Sequence, residues 1–116
     1  MSLLTERELT ERLVTGLNMV KKSAEVGATT ATLWTPTTGT RFVLTEIILS
    51  VTAASTVTVF DATDTTANRI CKLALAANGG CVIDLKTPVR ASAINGLLRV
   101  TNSAGTCYIT VIGYEE

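Results

Sequence analysis

The chain contains no histidine. That removes Ser-His-Asp and Cys-His nucleophilic catalysis in their usual form, together with every metal site built on imidazole. No surplus of charge exists either. Ten Lys and Arg balance ten Asp and Glu, and only 17% of the 116 residues are charged. The cations are scattered, with Lys21 and Lys22 the sole adjacent pair. Phosphate-backbone binding draws on several clustered cations, so no nucleic-acid partner is expected. No apolar run approaches the roughly 18 residues that span a bilayer, so no membrane partner is expected. The first eleven residues carry acids and no apolar signal core, which points to synthesis in a cytosol without general export.

Aromatic residues are only 4% of the chain, which weighs against a sugar-stacking surface. The three cysteines, Cys71, Cys81 and Cys107, form no CxxC pair and no even framework. Each stands beside β-forming residues and reads as a small buried hydrophobe. Neither GxxxxGK[ST] nor GxGxxG occurs. Paired carboxylates are the remaining route to acid–base chemistry, and Glu46, Asp61, Asp64 and Asp84 are the candidates. Asp61 and Asp64 share a turn with Thr63 and Thr65, where Asx-type bonding accounts for them and leaves too few oxygens for calcium. Glu46 interrupts an apolar strand and reads as a rim salt bridge, to an arginine on a neighbouring strand, or as a contact between subunits. No catalytic residue, metal or cofactor is expected, and the chain does not read as an enzyme.

What is present begins with a change of period near residue 27. Before it, Leu9, Leu13 and Leu17 recur at helical spacing, with Val20 continuing the stripe. Thr5 and Glu8 form a capping box, and Arg7 with Glu11 and Glu8 with Arg12 are opposite-charge pairs four apart. Lys21 and Lys22 sit where cations suit a helix C-terminus. A helix over residues 4–22 follows. Gly16 costs it about 1 kcal/mol relative to Ala, so it needs docking to persist. Its leucine stripe packs either on its own sheet or on a neighbouring subunit. Residues 23–31 are small and polar and read as a linker.

From there apolar residues alternate at strand spacing. The strongest strand is Phe42 to Val51, apolar on both faces, as in a sheet centre or under an assembly contact. Other strands are expected over 32–35, 56–60, 69–75, 81–85, 97–101 and 107–114. Asn78-Gly79 carries a hairpin signal, and Pro88 ends a strand or marks an edge. The expected fold is mainly β: one antiparallel β-sandwich or jelly-roll-like domain of seven to eight strands over 32–116, preceded by a helix or arm over 1–31. With so few charges to cover its surface, the chain is expected to self-associate.

The run Trp34-Thr-Pro-Thr-Thr-Gly-Thr-Arg-Phe42, the strand end Leu49-Ser-Val51, the stretch Leu73-Ala-Leu-Ala-Ala-Asn-Gly-Gly80 and the closing Val111-Ile-Gly-Tyr-Glu-Glu116 together resemble small β-sandwich virion proteins of tailed bacteriophages, including head decoration (cement) proteins. The likeness spans residues 32–116. It implies a non-enzymatic virion protein, made in the host cytoplasm, that sits on the capsid as a trimer and bridges major capsid protein subunits. Those proteins often reach out with an irregular arm, where this chain has a helical pattern. A neck, tail-associated or fibre component, or a carbohydrate- or receptor-binding module using Trp34 or Tyr108, are the alternatives. The expected contact residues are Leu9, Leu13 and Leu17 on the helix, with Phe42 and Glu46 on the body and Trp34, which also reads as a sheet-edge or core aromatic.

Overall fold

The structure is a computed structural model and describes residues 19–116. Eight strands follow one another: β1 (Val20–Val26), β2 (Thr30–Trp34), β3 (Phe42–Val51), β4 (Ser55–Asp61), β5 (Arg69–Leu75), β6 (Gly80–Arg90), β7 (Leu98–Asn102) and β8 (Cys107–Glu115). They form two four-stranded antiparallel sheets, ordered β1-β8-β3-β6 and β2-β7-β4-β5. Pairing of β1 with β8, β2 with β7, β3 with β6 and β4 with β5 is a long antiparallel hairpin rolled onto itself, the strand order of a jelly roll.

Alternation makes each strand two-faced. In β3, Ile47, Leu49 and Val51 are buried while Ile48 and Ser50 are exposed. Inward residues of the two sheets meet in one core that includes Leu44, Ile47, Val57, Val59, Leu98 and Val111, all fully buried. The interior strand β3 contributes most, as expected for a strand flanked on both sides.

The helix expected over 4–22 needs correction at its end. Val20, Lys21 and Lys22 are strand β1, not helix; residues 4–18 of that expectation lie outside the described residues. The linker expected over 23–31 is likewise strand in large part: Ser23 to Val26 complete β1, and Thr30 and Ala31 open β2. Val20, Lys22, Ala24 and Val26 turn inward and Lys21, Ser23 and Glu25 outward. That period of two was hidden because Val20 also continues the leucine spacing. Pairing with β8 along the whole length of β1, from Val20 opposite Gly113 to Val26 opposite Cys107, decides between the two periods.

Asn78-Gly79 does not close a hairpin. β5 and β6 lie in different sheets, so the turn crosses the sandwich. Asn78 has φ of 59°, the left-handed conformation that such turns require. Only β4 and β5, joined through residues 62–68, are consecutive strands that also pair. Pro88 falls inside β6, which is an edge strand. The register there runs from Glu46 opposite Asp84 to Leu44 opposite Val89, so residues 85–88 leave the ladder. A residue without an N–H is tolerated in such a bulge. On β3 the matching irregularity is Thr45, whose hydroxyl donates to the Ile112 carbonyl oxygen at 2.9 Å.

Candidate interaction surface

Five large apolar side chains are notably exposed among the described residues: Met19, Ile48, Val82, Ile94 and Tyr108. Three of them share the outer face of the β1-β8-β3-β6 sheet, at 39% (Ile48), 64% (Val82) and 46% (Tyr108) exposure. Strand register arranges this face in rows. One row runs Lys21, Ile112, Glu46, Asp84 from β1 to β6. The next runs Ser23, Thr110, Ile48, Val82, with the Ser23 and Thr110 hydroxyls hydrogen-bonded at 2.9 Å. The third runs Glu25, Tyr108, Ser50, Gly80. The face thus sets Ile112, Ile48, Val82 and Tyr108 among Ser and Thr side chains, with charges confined to the first and third rows.

Glu46 lies on this face, half-buried. Its cross-strand neighbour is Asp84, not the arginine expected from the sequence. Like charges directly opposite one another disfavour pairing. Among the described residues the salt bridges are Arg69 with Asp64 at 2.8 Å and Arg90 with Glu116 at 3.3 Å, and neither involves Glu46 or Asp84.

Trp34 and Phe42, expected at a subunit contact, are interior residues at 1% and 0% exposure. Their rings are 5.9 Å apart and tilted by 36°, so they pack on each other in the core. A bulge between Thr32 and Trp34 turns both Leu33 and Trp34 inward, which simple alternation does not anticipate. Leu9, Leu13 and Leu17 lie outside the described residues. Ile48 faces outward on β3, while the irregularity at Thr45 shifts the alternation and turns Phe42 and Leu44 inward together with Ile47 and Leu49.

A second feature lies at the sandwich end where β1 starts. A depression of about 520 Å³ is lined by Met19, Val20, Thr37, Thr40 and Glu115. Glu115 Oε1 accepts the Trp34 indole N–H at 3.1 Å and the Thr37 backbone N–H at 3.3 Å. Hydrogen bonds from Thr37 and Trp34 hold this carboxyl below the usual glutamate range. Its work is structural: it ties β8 to the turn after β2.

The other candidates separate in space. Asp64 accepts from Arg69 Nε, while Asp61 is buried and its Oδ2 accepts the Ser92 N–H at 2.8 Å. The two carboxylates therefore serve different loops. Cys107 is in the core, and burial pushes its thiol pKa up. Cys71 and Cys81 are half-buried on the inner sides of β5 and β6, and burial raises the Cys71 thiol too. Among the described residues no three His, Cys, Asp or Glu side chains gather as a metal would require, and no helix is long and apolar enough to cross a membrane.

Fold and surface together define an eight-stranded jelly-roll β-sandwich whose outer sheet face exposes Ile48, Val82 and Tyr108. No known protein-family model matches the chain, and no curated protein matches it.

Proposed function

We propose that the protein is a non-enzymatic structural component of a tailed-phage virion, acting as a head decoration protein that bridges major capsid protein subunits. The observation that carries this reading is the outer sheet face on which Ile48, Val82 and Tyr108 are exposed. Contiguous exposed apolar area on a small domain marks contact with another protein. The resemblance over residues 32–116 supplies the virion and the capsid partner. Short sheet-crossing turns leave a rigid body, which suits a clamp: little conformational freedom is lost when it binds. The amphipathic pattern of residues 4–18 adds a second apolar element through which a copy reaches its neighbour or the shell.

The decisive experiment mixes purified protein with phage heads that lack decoration and measures bound copies per major capsid protein by quantitative mass spectrometry. Decoration gives a fixed ratio set by the shell lattice, and it raises the temperature at which heads rupture. A handful of copies per particle would assign the protein to neck, tail or fibre. No binding to any virion part would end the virion reading.

A further inference from the structure

The rows on the outer face of β1-β8-β3-β6 are complementary to themselves. We propose that this face is a two-fold contact between two copies of the chain, in which Ile48 and Val82 of one copy pack on the same residues of the other, Ile112 packs on Tyr108, and Lys21 pairs with Glu25. Turn a second copy over by a half-turn about an axis in the face that runs along the Ser23-to-Val82 row. The Lys21 row of each copy then lies on the Glu25 row of the other, and the middle rows lie on themselves. A contact that maps a patch onto itself is the ordinary geometry of a closed dimer.

Charge and shape select this arrangement. Lys21 meets Glu25 twice, once at each end of the β1 margin. The adjacent acids Glu46 and Asp84 land over Ser50 and Gly80, never over another acid. Gly80 presents only backbone to the Asp84 of the other copy, since a Cβ there would meet the Leu49 carbonyl oxygen at 2.5 Å. A half-turn about the strand direction instead sets Val82 on Ser23 and Ile48 on Thr110, apolar on polar. The first arrangement covers all three of the exposed apolar residues on this face with apolar or small partners. Sheets packed face to face stand about 10 Å apart, which side chains of this size fill.

The contact goes beyond the virion reading but uses the same face, so the two are told apart by what binds. A dimer that binds no phage head keeps this proposal and defeats that one; a head-binding protein with no such dimer does the reverse.

The test uses the full chain, half of it labelled with ¹⁵N, treated with a zero-length carbodiimide and read by mass spectrometry. A Lys21-to-Glu25 bridge of mixed isotope composition is expected. Within one chain the two are four residues apart along a strand, about 13 Å, beyond such a bridge. Light scattering should give twice the chain mass. Val82→Asp, at an exposed position that leaves folding intact, should weaken the dimer by about tenfold or more. Lys21→Glu should weaken it likewise, and Lys21→Glu with Glu25→Lys should restore it. A Lys21-to-Asp84 bridge overturns the arrangement. A single-chain mass at millimolar concentration, or an oligomer indifferent to both Val82→Asp and the charge exchange, overturns the contact.

Discussion

Asn102 shows how much one side chain does in this fold. It is buried, and its Nδ2 donates to the carbonyl oxygens of Val26 at 3.1 Å, Gly27 at 3.3 Å and Gly105 at 3.2 Å. It thus joins the turn between β1 and β2 to the turn between β7 and β8. Replacing it with Ala leaves the buried Val26 carbonyl and two part-buried carbonyls without this donor, and we expect a loss of about 1–3 kcal/mol in urea unfolding. Asn102→Asp should be worse, because a carboxylate would face three acceptors.

Glu115 gives the fold a pH dependence with a definite sign. Its carboxyl is held below the ordinary value of about 4.3 by bonds from Thr37 and Trp34. A group with a lowered native pKa stabilises the fold fully above its unfolded pKa. That contribution is lost as pH falls through the native value. Stability attributable to Glu115 should therefore be flat above about pH 5 and decline below it. Glu115→Gln should flatten that decline in unfolding midpoints measured from pH 6 to pH 3, and an unchanged slope would refute the assignment. In neither case did the sequence reveal the role, because each depends on at least two partners between 75 and 81 residues away.

Among the elements, β1 carries the clearest lesson. Its seven residues cover the edge of β8 over the full length of the pair. Deleting residues 1–18 keeps every described strand, and the β-sheet signal should persist. Deleting residues 1–25 strips the edge and uncovers β8, and the melting temperature should drop by about 10 °C or more. Circular dichroism on the two truncations checks this. Most strands from β3 onward were legible within a few residues, because alternation bounded by turn residues is a local signal. β1 was not, since a short strand whose apolar residues also fit a helical stripe has no local signature. Pro88 was legible as an edge marker and illegible as a bulge, because the register that makes the bulge belongs to the pairing with β3.

On the scale of the whole molecule, nearly every pairing joins distant parts of the chain, such as Val20 with Gly113. Closing long loops before contacts reward them slows folding, so refolding is expected on about the millisecond-to-second scale of β-sandwiches. The single tryptophan, buried Trp34, is the natural stopped-flow probe. Refolding within microseconds would contradict this topology. The Asn78-Gly79 turn fits the same picture: turn chemistry specifies a reversal, and the sandwich decides whether the flanking strands pair or part.

From its residue pattern alone, the chain determines that it is β-rich, where most of its strands begin and end, that its cysteines lie among strand residues, and that histidine chemistry is closed to it. Those properties follow from composition and from spacing along a few residues. The tertiary structure decided the rest: which strands pair, that Trp34 and Phe42 are core rather than contact residues, that Glu46 faces an acid, and that Ile48, Val82 and Tyr108 share one open face. Each of those depends on register between strands distant in sequence, and register is set by the burial of a whole sheet at once.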